Sequence, residues 1–400
     1  MAHLEHVSVE GFKKIEQLSL DVGQFTVVTG RNNSGKSSLL EAAAVATTPS
    51  QIDDVIEVRP ATINRESDAA SVSVGTEDSE WEVRLEVPSE EQAFRHLVEM
   101  SEPILKRRLV SKFSESAVSD ESIRRTVEEN LHESLLDAVE ATGVTLSRGI
   151  VEIHVDNEVY PQATGGADIR SIVTYSYKYL REKISEPQSD TPDSSRIKLV
   201  SLLLDGDLGG DIGETKLNTS FFNLPQRIWN ANFSDEIDVI KTDEIGDFLR
   251  EKQIVDNLKT FTLDSLVFEP DDGEKYSVPF DQMGEGFRAI VGLLRELLDD
   301  DLPEVVFLEE PSTHMHPGYV RELVYFLVDL AREEDVQLFL TTHDSDLLND
   351  LFTDNLTEEE VSFLESEFRL VQMQDGTADV MEYREAEHTL EELMLDLRGI

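Results

Sequence analysis

Hydrophobic and polar positions alternate over Leu4–Phe12, Gln17–Val22 and Phe25–Thr29, with turn or polar residues between them. Three short strands are predicted there. An apolar helix-like stretch, Ser38–Ala44, follows at once, and then a polar connection over Thr47–Ser67. Alternation resumes in Ala70–Val74 and Trp81–Val87, which predicts a hairpin turning at Gly75-Thr76-Glu77-Asp78. From Ser89 to Ala141 the pattern is helical and charged, without a sustained heptad. Ile150–Val155 reads as a strand, Asp168–Ile184 as a helix and Ser185–Ser195 as a loop. Ile197–Leu204 reads as a strand, Gly206–Gly213 as a turn-rich excursion and 232–259 as helix. Strands are expected again at Thr262–Phe268 and Lys275–Val278.

The C-terminal part regains regular order. A helix is predicted over Phe287–Leu298, a strand over Val305–Leu308, a helix over Tyr319–Arg332 and a strand over Gln337–Thr341. Strand, helix and strand in alternation indicate a parallel sheet and an α/β fold. A hairpin, Arg369–Gln374 and Asp379–Tyr383, should turn at Asp375-Gly376, and Thr389–Leu397 should close as a helix. The expected organisation is an N-terminal lobe at 1–88, a largely helical insertion with some strands at 89–265, and a C-terminal lobe at 266–400.

Composition narrows the functional classes. The chain has 400 residues, 39% of them hydrophobic, and no cysteine. Disulfides, thiol catalysis and Cys-ligated metal sites are therefore excluded. No apolar run approaches a membrane span and the N-terminus does not read as a signal peptide, so a cytoplasmic protein is expected. Acidic residues number 83 against 35 basic ones, a formal net charge of −48. The excess is spread along the chain. It reads as an acidic, partner-repelling surface or as adaptation to a halophile's cytosol, where molar salt screens self-repulsion.

Candidate chemistry begins at Gly30-Arg31-Asn32-Asn33-Ser34-Gly35-Lys36-Ser37, a complete G-x-x-x-x-G-K-[ST] loop between a predicted strand and a helix opening at Ser38. In that context the glycines let backbone N–H groups wrap a phosphate chain. The helix N-terminus favours the anion, Lys36 reaches the β/γ-phosphates, and Ser37 offers a hydroxyl to Mg²⁺. The strand Val305–Leu308 delivers Glu309-Glu310. Side chains alternate along a strand, so the two acids should diverge: Glu309 to the Mg²⁺ shell, Glu310 to the attacking water. A further strand end delivers His343, placed to meet a γ-phosphate. Gln282-Met283-Gly284-Glu285-Gly286-Phe287-Arg288 sets two glycines at a helix start, a second anion site suited to a nucleotide held by another subunit.

In this order, these elements resemble the ABC-type ATPase heads of the RecF/SMC-like and OLD-like AAA ATPases. They are most similar to the stand-alone group with G-x-N-N-S-G-K-S and M-G-[DE]-G-[FY]-[KR]. The resemblance covers about 1–60 and 276–350. It implies a P-loop NTPase head with a mixed sheet, ATP and Mg²⁺ as ligands, and two heads clamping two nucleotides. It assigns Lys36 and Ser37 to phosphate and Mg²⁺, Glu309 to the Walker B position, Glu310 to the catalytic base, Gly284 and Gly286 to the signature, and His343 to the switch histidine. Val7–Phe12 with Lys13-Lys14 is similar to the F-[KR] segment of those heads, which makes Lys13 a nucleotide contact. Three departures stand out. Gln282 or Met283 replaces the signature serine, Glu309 replaces aspartate, and Ser312 replaces an acid in Ser312-Thr313-His314-Met315-His316-Pro317.

No guanine-reading N-K-x-D is present, which favours ATP over GTP. Residues 344–400 show no D-x-D cluster after a glutamate-bearing strand, so a nuclease is expected to be a separate partner. The basic spots Lys106-Arg107-Arg108, Arg124-Arg125 and Lys178/Arg181/Lys183, the last beside Tyr175, Tyr177 and Tyr179, read as a DNA-facing arm or as helix faces paired with nearby glutamates. The expected partners are a second copy of the chain, with DNA and an effector protein as candidates.

Overall fold

In the computed structural model, residues 3–47, 62–77, 79–95, 151–157, 171–176, 219–223, 239–251, 255–262, 264–270, 273–297, 303–313, 315–352 and 356–393 are described. Two six-stranded sheets and one short sheet organise them. The central sheet runs β15-β14-β3-β13-β12-β8. Its strands are β3 (Phe25–Gly30), β8 (Thr219–Asn223), β12 (Val305–Glu309), β13 (Gln337–Thr341), β14 (Phe368–Gln374) and β15 (Thr377–Glu382). All neighbours pair in parallel except β14 and β15. The sheet is mixed, as expected.

The second sheet, order β2-β1-β4-β5-β6-β7, is antiparallel throughout. It contains β1 (His6–Phe12), β2 (Ile15–Asp21), β4 (Ala69–Gly75), β5 (Glu80–Glu86), β6 (Val151–Asn157) and β7 (Ser171–Ser176). Helix α1 (Lys36–Thr47) lies between the two sheets, and every residue except Ser37 and Glu41 is buried. This explains its composition: Leu39, Leu40 and Ala42–Ala46 are apolar all the way round, the pattern of a helix covered on every side. Trp81 Nε1 donates to the Ala46 carbonyl at 2.7 Å and ties β5 to its last turn.

The other face of the central sheet carries α2 (Val239–Glu251), α3 (Glu285–Leu297), α4 (Pro317–Glu333), α5 (Ser345–Leu351), α6 (Glu358–Glu367) and α7 (Tyr383–Leu393). It also carries a small sheet of β9 (Leu258–Phe261), β10 (Ser265–Phe268) and β11 (Tyr276–Pro279). Strand alternation divides the core cleanly. Val305, Phe307 and Val28 face α1, whereas Val306, Leu308 and Val27 face the helices.

Some expectations are corrected. Residues 171–176 lie within the stretch expected to be helical, yet form a strand paired with β6. Ser-Ile-Val-Thr-Tyr-Ser is β-branched and aromatic, which suits a pleated surface better than a helix. Strands β6, β7 and β8, from within residues 89–265, join the two six-stranded sheets. The closing helix begins at Tyr383, six residues before the expected start. Tyr383 is buried and donates its hydroxyl to the Leu351 carbonyl at 2.9 Å, so the chain turns inward there. The basic spots of 106–125 and 178–183, and His314, lie outside the described residues.

One buried amide joins the N-terminal segment to the central sheet. Gln337 accepts from the Leu4 N–H at 2.8 Å and donates to the carbonyls of Leu4 and Gly23 at 2.8 and 3.0 Å. Gln337→Ala leaves the buried N–H and carbonyl of Leu4 without partners, while the Gly23 carbonyl keeps the Thr26 hydroxyl. The expected loss is about 2–3 kcal/mol, checked by urea unfolding with an unchanged m-value.

Candidate nucleotide site

The C-terminal ends of β3, β13 and β12 lie side by side, with β13 in the middle. Parallel α/β sheets place ligands at this edge. The phosphate loop leaves β3, His343 follows β13 and Glu310 follows β12, so register alone gathers three separate sequence signals. The loop turns into α1 through Asn33 at φ 71° and glycines at 30 and 35 with φ 142° and 111°. A Cβ at position 30 would run into the Met373 carbonyl of β14, so glycine is required there. Lys36 donates to the carbonyls of Gly30 at 2.9 Å and Arg31 at 3.2 Å. Burial pushes its ammonium below the usual lysine range, while Glu310 and Glu309 pull it back up. Both acids therefore act on Lys36.

The two carboxylates are carried by different backbone conformations. Glu309 follows the parity of Val305 and Phe307 and belongs to the α1 side of the sheet. Glu310 lies just beyond β12 in the left-handed region, at φ 49°. A non-glycine residue held there is uncommon and stores strain. The turn at Glu310 falls outside the regular alternation of β12. The Glu310 N–H donates to both the Thr341 carbonyl and its Oγ1 at 3.1 Å, which secures the turn to β13.

Glu310 Oε2 lies 2.7 Å from His343 Nδ1 and also accepts from the His343 N–H at 3.3 Å. An ionised carboxylate only accepts, so Nδ1 carries a hydrogen directed at it. The imidazole is about half exposed at the mouth of the site. Ser37 is exposed at the start of α1, and Arg31, Asn32 and Asn33 are exposed on the loop, whereas Ser34 and Ser38 are buried.

Lys13 sits in the β1–β2 turn at φ 50° and forms an ion pair with Glu41 of α1. Burial raises the Glu41 carboxyl, Lys13 lowers it, and nearby Glu309 raises it further. Lys13 is thus placed against the phosphate-loop helix. The residue touching the loop itself is Lys14, whose Nζ donates to the Asn33 carbonyl at 3.0 Å. Sequence reasoning singled out neither Lys14 nor Glu41 for the site.

Gly284 and Gly286 stand at the start of α3, whose first bond runs from the Arg288 N–H to the Gly284 carbonyl at 3.1 Å. Gly286 is buried, with Met315 Cα 3.1 Å from where a Cβ would be; Gly284 is exposed, with nothing within 4 Å of its Cβ position. Helices α1 and α3 pack on opposite faces of the central sheet. Among the described residues no group of three or more His, Asp or Glu is placed to hold a metal, and no helix is long and apolar enough to cross a membrane.

A phosphate loop, an acid-ended central strand and a histidine on the neighbouring strand mark a P-loop ATPase. The family model described as "AAA domain, putative AbiEii toxin, Type IV TA system" matches residues 25–349, and the chain belongs to that family. The phosphonates import ATP-binding protein PhnC 2 of Haloarcula marismortui is 30% identical over 70 residues. That match spans 18% of this chain and 25% of that protein. Two solved structures are similar over nearly their whole lengths. The SMC head domain from Thermotoga maritima has a TM-score of 0.40 at 11% identity, covering 95% of this chain and 98% of its own. The Smc head domain from Pyrococcus furiosus, bound to the C-terminal domain of ScpA, has a TM-score of 0.43 at 13% identity, covering 99% and 100%.

Proposed function

We propose that the chain binds and hydrolyses Mg-ATP as an ABC-type head that pairs with a second copy around the nucleotide. In this reading it is a nucleotide-driven switch in DNA maintenance or defence. The observation that carries the paired head is the separation of α1 and α3 onto opposite faces of one sheet. A signature on the far face suits a nucleotide held by a partner, and a two-fold pair makes that contact reciprocal.

The residues divide the work. The loop N–H groups and Lys36 bind phosphate, and Lys13 approaches the nucleotide from the β1–β2 turn. Ser37 and Glu309 would hold Mg²⁺ together with phosphate and water oxygens, which suits a cation that keeps several of its waters. Glu310 takes a proton from the attacking water, and His343 orients Glu310 through Nδ1–H and, with a hydrogen on Nε2 as well, donates to an oxygen of the transferred group. Gly284 leaves the α3 N-terminus open to the partner's γ-phosphate, and Gly286 lets that helix start pack closely on Met315. The family's description favours a second setting, an ATPase subunit of a toxin-like or phage-defence system acting with a separate effector. A nucleotide-gated clamp on DNA or protein is the third. DNA that raises turnover, with the rise lost when Lys106, Arg107 and Arg108 are neutralised, selects the DNA-linked form.

Gly284→Asp tests the paired head. The new side chain has open space, and an acid at a helix start agrees with the helix dipole, so the fold should be kept. The carboxylate would oppose a partner's phosphate. Expected in gel filtration and ATP-binding assays are unchanged monomer affinity and ATP-driven pairing weakened at least about tenfold. Pairing as strong as wild type overturns the assignment of the signature.

A further inference from the structure

Two turns from distant parts of the chain grip the phosphate loop on its outer side. From the β1–β2 turn, Lys14 Nζ donates to the Asn33 carbonyl at 3.0 Å. From the β14–β15 turn, the Gly376 N–H donates to the Ser34 carbonyl at 3.0 Å. The two turns also meet each other: a Cβ on Gly376, which has φ 85°, would lie 2.7 Å from the Lys14 carbonyl oxygen. Strand β14 brings the second turn into place by running parallel to β3, with Met373 paired to Gly30. The Met373 methyl and Gly376 Cα come within 3.1 and 3.8 Å of where a Cβ on Gly35 would be.

Asn33–Ser34 and Ser34–Gly35 are successive peptide units. A trans peptide is planar, so its C=O and N–H point opposite ways, and the described chain has no cis bond. Fixing the Ser34 carbonyl on the hairpin turn aims the Gly35 N–H to the opposite side. Fixing the Asn33 carbonyl on Lys14 likewise directs the Ser34 N–H away, and it donates to the Arg31 carbonyl at 3.2 Å. The loop keeps its curl, with Ser34 Oγ buried inside it and unpartnered.

We propose that Lys14 and the Asp375-Gly376 turn are positioning residues for the phosphate loop: they hold two successive carbonyls outward and so pre-set the Gly35 N–H for phosphate. The proposal rests on reading the loop as the nucleotide site. A loop already in its binding conformation loses less entropy when phosphate arrives, which raises affinity without a new ligand contact. The β14–β15 hairpin becomes part of the ATP site although it lies about 340 residues downstream.

The test is Mg-ATP binding by calorimetry on the full chain, as wild type, Lys14→Met, Lys14→Arg and Gly376→Ala, at low salt and in about 2 M KCl. Lys14 is exposed, so Lys14→Met keeps the proposal testable if Gly376→Ala misfolds. Lys14→Met should weaken ATP binding about fivefold, as expected for one hydrogen bond, and Lys14→Arg should restore most of it. A folded Gly376→Ala should lose at least as much. A lysine that merely attracts the nucleotide's charge would lose its effect in 2 M KCl, where the Debye length is about 2–3 Å; a positioning lysine keeps it. Unchanged affinity in Lys14→Met, or an effect present only at low salt, overturns the proposal. A wild type that binds no Mg-ATP overturns the nucleotide reading, and the proposal with it.

Discussion

Glu310→Gln should lower ATP turnover about 10³-fold while leaving ATP affinity within about twofold. The amide has nearly the shape of the carboxylate and still accepts through its oxygen, so the hydrogen bond from His343 Nδ1 survives. What is lost is the base. The left-handed backbone at Glu310 is fixed by two bonds from its own N–H to Thr341, and neither depends on the side chain. The substitution therefore removes chemistry without moving the site. Single-turnover hydrolysis measured beside equilibrium binding separates the two quantities, and a parallel fall in affinity would assign Glu310 to binding.

Lys36→Ala should act on the other quantity, weakening ATP binding about 100-fold or more. Its ammonium is held where burial works against its charge, steadied by Glu309 and Glu310 and by the carbonyls of Gly30 and Arg31. A buried cation resting on carbonyls at the start of a helix is placed to accept phosphate with little reorganisation. Fluorescence titration with an ATP analogue reads the effect. Retention of near wild-type affinity would mean that the loop does not bind phosphate through this residue.

Much of this arrangement was legible in the sequence, because its signals are local. The phosphate loop carries its strand on one side and its helix on the other within a short span, and the parallel core strands are nearly continuous apolar runs. Less legible was whatever depends on distant pairing or on backbone torsion. Nothing in the letters Glu309-Glu310 signals that the second residue adopts φ 49° and meets His343 of the neighbouring strand. Strand β8 is five residues long and exists because β12 lies beside it, some 85 positions later. Lys13 and Lys14 look equivalent in sequence. The tight turn between Phe12 and Ile15 gives one to Glu41 and the other to the phosphate loop.

The signature residues make a contrasting case. Gly284 and Gly286 read alike as helix-start glycines, yet one has open space and the other is closed off by Met315. Met315 comes from the chain just beyond β12, so the start of α3 packs against the stretch that follows Glu310.

The central claim, that two copies close on ATP, is tested most directly by light scattering of Glu310→Gln in molar KCl with and without Mg-ATP. The variant should trap the unhydrolysed state, so the account predicts a monomer without nucleotide and a dimer with it. A monomer under both conditions would contradict the self-pairing of heads.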